Sequence, residues 1–136
     1  MRGLALESIE IAEALFGAFV SGDDEAVRAL CAPDARAVQN HAPPMNLDEL
    51  LAFSASVRRI VPDYHYAEVV QMATTSGFIE EHSVRGTLPD GEELRLAACV
   101  IGEVHDGRIT ELREYVDSVA ARGLGKALAK DASEDT

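Results

Sequence analysis

Two turn signals in the second half of the chain constrain its fold more than any other feature. Residues 89–91 read Pro-Asp-Gly and residues 106–107 read Asp-Gly, and each lies between long segments rich in apolar and β-branched residues. The first is typical of a three-residue hairpin loop with a left-handed glycine, and the second of a two-residue type I′ turn. Such short turns join antiparallel strands. The sequence after Pro62 therefore predicts a meander of four long antiparallel strands.

Helices are predicted in the first half of the chain. Apolar residues recur at helical spacing over residues 8–20, and further helices are expected over 23–31 and 46–61. In the third helix, Asn46 is the expected N-cap, and Glu49 three residues later completes a capping box.

The order of these segments predicts the fold class and the domain organisation. A short strand is expected over residues 35–41, between the second and third helices. Three N-terminal helices packed on an antiparallel sheet make an α+β fold. Residues 1–124 are expected to form one domain, and residues 125–136 a charged, disordered tail.

The net charge of the chain limits the classes of partner that it can bind. Acidic residues number 24 against 12 Lys and Arg, which gives a net charge of −12. Phosphate backbones and anionic membranes would repel such a chain, so we expect no nucleic-acid or membrane partner. Glu7, Glu10 and Glu13 interrupt the apolar N-terminus, which is therefore unlike a signal peptide. A cytoplasmic location is expected, with Cys31 and Cys99 reduced.

The two turns also predict which side chains share a face of the sheet. They place His82 opposite Ala98, and Ala98 opposite Tyr115. One face is then predicted to carry Phe78, Glu80, His82, Val84, Leu94, Leu96, Ala98, Val100, Arg113, Tyr115 and Asp117. This face is mostly apolar, with one polar cluster and a gap above the methyl group of Ala98. A ligand pocket is usually lined in this way.

The opposite face is predicted to be an interface between two copies of the chain. It would carry Ala97, Cys99, Ile101, Leu112 and Val116 among Ser83, Arg85, Glu103 and Glu114. Such a face is too apolar for a fully hydrated surface, so a homodimer is expected.

The order of elements resembles the nuclear transport factor two-like superfamily, in particular its SnoaL-like and ketosteroid-isomerase-like branches. The resemblance covers roughly residues 8–122 and is carried by EEHSVRGTLPDGEELRL, residues 80–96, and VIGEVHDGRITELREYVD, residues 100–117. It implies a cone-shaped domain in which a strongly curved sheet wraps around the helices and encloses an apolar pocket. It also implies dimers through the outer face of the sheet.

Within the superfamily, the resemblance argues against two activities. A ketosteroid isomerase would have an Asp base where residues 39–40 are Gln-Asn, and an oxyanion-binding Tyr where residues 15–16 are Leu-Phe. A limonene-epoxide-hydrolase-like enzyme would carry Arg and Asp on the strand of His82 and Val84, and only its second Asp has a match, in Asp117.

The polyketide-cyclase branch matches best, and it implies the catalytic residues. His82 and Asp117 would be the acid and base. Independently of the resemblance, Tyr115 is a third catalytic candidate, because its phenol can orient a carbonyl group or stabilise an oxyanion. Each also has a purely structural interpretation: His82 bound to Glu80 or Glu81, Asp117 an exposed carboxylate, and Tyr115 an aromatic wall. The expected substrate-binding residues are Arg113, Glu80, Ala98, Val84, Leu96 and Phe16.

The remaining polar aromatic and histidine residues are expected at the surface. These are His41, His65, Tyr64 and Tyr66. His65 and Glu68 have a spacing that suits metal ligands on a helix, but they fall in a predicted strand. Neither a metal nor a cofactor is expected.

The leading hypothesis is cofactor-independent acid-base catalysis of the isomerase, cyclase or lyase (dehydratase) type. The substrate would be a small hydrophobic carbonyl or polyketide-like compound. One alternative is a non-catalytic small-molecule-binding module with the same pocket, and another is a dimeric protein-interaction subunit that uses the outer sheet face.

Overall fold

The computed structural model describes the backbone of residues 2–134 and the side chains from residue 7 to residue 134. Within residues 2–134, four helices and five strands follow one another. In order they are α1 (Arg2–Ser21), α2 (Asp24–Leu30), β1 (Cys31–Gln39), α3 (Leu47–Ile60), β2 (His65–Ala73), β3 (Gly77–Thr87), β4 (Glu93–His105), β5 (Arg108–Val116) and α4 (Arg122–Glu134). Among residues 2–134, no helix combines the length and apolar character that crossing a membrane requires.

Local capping explains where two of the helices begin. The Asp23 side chain accepts a hydrogen bond from the Ala26 backbone at 3.1 Å and so caps α2. Asn46 and Glu49 form the predicted capping box on α3, with reciprocal hydrogen bonds of 2.9 and 3.1 Å. Each cap satisfies backbone N–H groups that the helix leaves free, and such caps contribute about 1 kcal/mol.

The sheet confirms the predicted meander and adds one edge strand. Its order is β1-β5-β4-β3-β2. The pairs β2-β3, β3-β4 and β4-β5 are antiparallel, as the turns predict, whereas β1 pairs with β5 in parallel. The α+β fold with helices packed on a curved, mostly antiparallel sheet is therefore confirmed.

A fourth helix occupies residues that the sequence analysis assigns to a disordered tail. Leu124 of α4 is buried in a cluster with Val61, Leu94 and Leu96. An ion pair joins Asp131 of α4 to Arg59 of α3. A 13-residue helix is marginal on its own, so its formation depends on this packing, which composition alone does not reveal. Residues 135–136 lie outside the described range.

The first turn produces the predicted register. Gly91 has a φ of +88°, and the Leu88 backbone N–H donates to the Glu92 carbonyl at 2.8 Å. His82 then pairs with Ala98, as the Pro-Asp-Gly loop predicts. Side chains on the inner face of β3 and β4 are therefore those expected from the sequence.

The second turn is also as predicted, but the strand that follows it is not. Asp106 and Gly107 have φ values of +51° and +77°, the left-handed pair of a type I′ turn. A β-bulge then shifts the register, because Val104 pairs with Ile109 while Glu103 pairs with Glu111. One extra residue, Thr110, reverses the faces of everything after it.

The bulge corrects the predicted faces of β5. Leu112, Glu114 and Val116 lie on the inner face, whereas Arg113 and Tyr115 lie on the outer face, opposite Ile101 and Cys99. Leu112 is 7% exposed and belongs to the main core between α1 and the sheet. The bulge is compatible with the fold because it buries this leucine and leaves the charged Arg113 outside.

Candidate functional site

A pocket lies between the helices and the inner face of the sheet. Its cavity is about 120 Å³. One water needs roughly 10–15 Å³ of such space, so the pocket can hold a small organic molecule. The apolar lining residues are Phe16, Phe19, Ala37, Val38, Met45, Leu50, Phe53, Val57, Val84, Leu96, Val100, Leu112 and Leu124. The polar lining residues are Gln39, Ser54, Tyr64, Tyr66 and Glu114.

Two tyrosines form a hydrogen-bonded pair in the pocket wall. The Tyr64 hydroxyl donates to the Tyr66 hydroxyl, and the ring centroids are 5.2 Å apart. Burial is the main cause that raises the pKa of each phenol above its usual value of 10.0, and the charges of Glu114 and Glu80 raise both further. Both tyrosines therefore remain neutral at ordinary pH. A hydrogen bond between two hydroxyls uses only one of their protons, so the pair keeps a second proton for a ligand.

A carboxylate enters the same pocket from β5. Glu114 pairs with Val100 across β4 and with Gln39 across β1. The Gln39 amide donates to Glu114 Oε1 at 2.6 Å, which orients the carboxylate. Gln39 occupies only that oxygen, so Oε2 remains an acceptor for a ligand.

A buried histidine and glutamate lie behind the pocket wall. Glu80 is 0% exposed and His82 is 4% exposed. His82 Nδ1 is 2.6 Å from Glu80 Oε2, and Gln71 Nε2 donates to Glu80 Oε1 at 2.7 Å. The His82 ring lies 4.2 Å from the Tyr66 ring and 5.2 Å from that of Phe16, centroid to centroid. The structural interpretation of His82 required a contact with Glu80 or Glu81, and the contact with Glu80 is present.

Three of the predicted site residues line the pocket. Phe16, Val84 and Leu96 are all in its apolar wall. Ala98 is 6% exposed and pairs with His82 of β3, as predicted. Its partner on β5 is Val116, whereas the sequence analysis predicted Tyr115.

The predicted row of Arg113, Tyr115 and Asp117 is outside the pocket, so its placement is wrong. Arg113 forms ion pairs with Glu103 at 2.9 Å and Glu111 at 2.6 Å on the outer face. Tyr115 is 45% exposed. The bulge at Thr110, within β5, turns both residues away from the pocket.

Asp117 lies beyond the end of β5, where it stabilises the chain reversal. Its side chain accepts hydrogen bonds from the backbone N–H groups of Val119 at 2.9 Å and Ala120 at 3.3 Å. An exposed carboxylate at the end of a strand, the structural interpretation considered above, describes its position.

The pocket residues that the sequence analysis missed are Tyr64, Tyr66 and Glu114. The tyrosines were expected at the surface and Glu114 on the outer face. One signal for the bulge exists: Ile109 and Leu112 are three apart, and both are too apolar for the outer face of a regular strand. His41 and His65 are exposed. No three His, Cys, Asp or Glu side chains cluster as metal ligands within the described part of the chain.

Comparison with known proteins identifies the fold and the family. The model of the SnoaL-like domain matches residues 12–112. No curated protein sequence is significantly similar to the chain. PrhC from Penicillium brasilianum has 18% identity and a TM-score of 0.80, covering 94% of this chain and 91% of that chain.

Two further solved structures have been named as polyketide cyclase candidates. A SnoaL-like protein from Jannaschia sp. CCS1 has 15% identity and a TM-score of 0.78, covering 87% of this chain and 90% of that chain. IdmH from Streptomyces antibioticus has 25% identity and a TM-score of 0.71, covering 87% of this chain and 98% of that chain. At 15% and 18% identity, the Jannaschia protein and PrhC show the fold alone.

Proposed function

The chain belongs to the SnoaL-like domain family, and from this premise we propose that it transfers protons on a small hydrophobic carbonyl compound without a cofactor. The observation that carries the proposal is the meeting of neutral phenols and a carboxylate in one apolar pocket: Tyr64 and Tyr66 on one side, Glu114 on the other. A donor for a developing oxyanion and an acceptor for a proton are the two groups that enolisation needs.

Glu114 is the proposed proton acceptor. Its free oxygen takes a proton from the carbon next to the substrate carbonyl, and the electrons of that C–H bond form the C=C bond of an enolate. Returning the proton to a different carbon gives an isomer. Attack of the enolate carbon on a second carbonyl closes a ring, the C=O π electrons move to that oxygen, and the resulting alkoxide takes the proton from Glu114. In both outcomes Glu114 ends as a carboxylate, the form in which it began.

Tyr66 is the proposed donor to the enolate oxygen. Its phenol is neutral because burial raises its pKa, so it can donate a hydrogen bond as negative charge develops. Tyr64 donates to the same hydroxyl and thereby strengthens it as a donor. The name of IdmH as a polyketide cyclase candidate supports a polyketide-like substrate with more than one carbonyl.

Hydrogen exchange on a model ketone tests the proposal without the natural substrate. We expect the protein to accelerate deuterium uptake at the α-carbon of α-tetralone in D₂O, followed by NMR. Glu114→Gln should slow this exchange by about 10²- to 10⁴-fold, the usual contribution of a general base. The matched control is Asp117→Asn, which removes an exposed carboxylate outside the pocket.

Each other outcome has a defined meaning. Exchange at the wild-type rate in Glu114→Gln contradicts the proposal. Tetralone that shifts the Tyr64 and Tyr66 resonances without any exchange identifies a binding module.

We also propose that two copies associate through the outer face of the sheet. Val70 and Met72 of β2 and Tyr115 of β5 are 49%, 45% and 45% exposed there. Ile79 and Ile101 pair with each other between them. An apolar surface of this kind supports a protein interface. Leu112 and Val116, which the sequence analysis placed on it, lie on the inner face.

A further inference from the structure

The C-terminal helix α4 supplies part of the pocket wall. Leu124 of α4 is 8% exposed and lines the pocket. The chemistry proposed for Tyr66 and Glu114 does not use it. Helix α4 also lies beyond residues 12–112, which match the SnoaL-like domain. This part of the wall therefore comes from outside the matched domain.

One face of α4 packs against the rest of the molecule. Leu124, Ala127, Leu128 and Asp131 recur at helical spacing and are buried or half-buried, whereas the residues between them are exposed. The two leucines join an apolar cluster that includes residues of β3 and β4. Asp131 forms an ion pair with Arg59 of α3. These contacts hold the Leu124 side chain in the pocket wall.

Leu124 and Glu114 lie at opposite ends of the pocket. Leu124 shares its apolar cluster with Val84 and Leu96, which pair across β3 and β4 and also line the pocket. Glu114 pairs instead with Val100. Leu96 and Val100 are four residues apart on β4, which is roughly 13 Å at the rise of an extended strand. Leu124 therefore bounds the length of the pocket along β4, at the end away from the proposed base.

We propose that Leu124 is a specificity-determining residue, whose side chain closes the apolar end of the pocket and disfavours longer substrates. This inference rests on the proposed function, which places the reacting carbon of the substrate at Glu114. The rest of the substrate then extends along β4 toward Leu124. Because the side chains of Val84, Leu96 and Leu124 offer no hydrogen-bonding group, the substrate is apolar at the end remote from the reacting carbon.

Two ketones that differ only in length test the role of Leu124. The probes are α-tetralone and the dihydroanthracenone that extends it by one linearly fused benzene ring. NMR titration of the protein gives the dissociation constant of each ketone, and the ratio of the two constants is the measured quantity. Leu124→Ala should shift this ratio about tenfold or more in favour of the longer ketone, as expected when an apolar pocket gains space for additional carbon atoms. Leu124→Phe should shift it in the opposite direction.

Leu128→Ala is the matched control. Leu128 lies on the same face of α4 and packs against the same cluster, but the pocket wall formed by the described residues does not include it. Both alanine variants should unfold at lower urea concentration than the wild type, and only Leu124→Ala should change the affinity ratio. The amide resonances of α4 report whether the helix remains folded. An equal shift in Leu128→Ala would assign the effect to displacement of α4 and overturn the assignment to Leu124.

The affinity ratio is measured without turnover, so it is independent of the Glu114 exchange test. If Glu114→Gln exchanges α-tetralone at the wild-type rate, the proposed function fails, and the ratio still decides whether Leu124 limits ligand length. If exchange depends on Glu114 but neither Leu124→Ala nor Leu124→Phe changes the ratio, the inference on Leu124 alone is overturned. Where both hold, Leu124→Ala should also exchange the dihydroanthracenone faster, relative to α-tetralone, than the wild type does.

Discussion

Tyr66 is the residue at which the two halves of the site meet. Its hydroxyl accepts from Tyr64 in the pocket, and its ring lies on His82 behind the pocket wall. The hydroxyl and the ring therefore have separable roles, one in donating to a ligand and one in packing.

Replacing Tyr66 by Phe separates these roles. The ring contacts are retained and the donor is lost, so exchange of α-tetralone should slow by roughly 10²- to 10³-fold, the usual effect of removing one oxyanion donor. The free energy of unfolding should fall by only about 1 kcal/mol, from the lost hydrogen bond with Tyr64. NMR exchange rates and urea unfolding measure the two effects.

The matched control for Tyr66 is Tyr115, a phenol on the outer face with 45% exposure. Tyr115→Phe should leave the exchange rate unchanged. A loss of activity in this variant would mean that β5 presents the opposite face to the pocket.

Among the elements, β5 depends on a single inserted residue. Thr110 is the bulge residue that turns Leu112 and Glu114 inward and Arg113 outward. Deleting Thr110 would remove the bulge and leave residues 111–116 opposite their present β4 partners, with Leu112 still inward and Arg113 outward. We expect the free energy of unfolding to change by only about 1 kcal/mol, because no charge is buried and no core side chain is lost. Urea unfolding followed by circular dichroism measures it.

Thr110→Ala is the control for the deletion, because it keeps the bulge and removes only a weak hydrogen bond of 3.4 Å to the Glu103 carbonyl. Its stability should change by about 1 kcal/mol or less. A deletion that costs more than about 4 kcal/mol would mean that residues 111–116 do not keep their β4 partners once the bulge is removed.

The carboxylate of Asp63 joins the loop between α3 and β2 to the end of β3 through hydrogen bonds. Asp63 accepts from the Thr87 backbone at 2.8 Å and from the Thr87 hydroxyl at 2.7 Å. These two hydrogen bonds hold the pKa of Asp63 below its usual value of 3.8. A carboxylate whose pKa is lower in the folded state than in the unfolded state stabilises the folded state at pH values above the unfolded pKa. This stabilisation is lost as the pH falls through the folded pKa.

Asp63→Ala should therefore destabilise the protein at neutral pH. The difference in the free energy of unfolding between this variant and the wild type should shrink as the pH falls below 3.8 and through the folded pKa of Asp63. The wild-type carboxylate is then protonated and loses the hydrogen bonds that the variant already lacks. Urea unfolding across this range measures the difference. Asp34→Ala, which removes an exposed carboxylate of β1, should not reproduce it. A pH-independent difference for Asp63→Ala would assign the effect to packing.

For the molecule as a whole, the outer face of the sheet is the proposed dimer interface. We expect a homodimer at micromolar concentration in sedimentation experiments, and Ile101→Asp should dissociate it by placing a charge in the middle of the apolar surface. Val119→Asp is the matched control, because Val119 is 68% exposed and lies beyond β5. A wild-type protein that sediments as a monomer contradicts the expectation.

The sequence by itself determined the order of elements and most of the architecture. The capping box of Asn46 and Glu49 and the two glycine turns are local signals, and each acts on the residues next to it in the chain. Because the Pro-Asp-Gly turn sets the β3-β4 register directly, the positions of Val84 and Leu96 in the pocket wall were predictable.

Only the tertiary structure decided which residues of β5 and β2 face the pocket. Strand side chains alternate between the two faces with a period of two. One bulge at Thr110 therefore places Glu114 on the inner face in the position predicted for Tyr115. The residues of the preceding turn do not indicate this bulge. The bulge is selected by the burial of Leu112, a contact with elements distant in sequence. Tyr66 likewise enters the site through pairing with β3 and packing against α1. Non-local packing of this kind is the physical reason why the sequence predicted the pocket but not its polar residues.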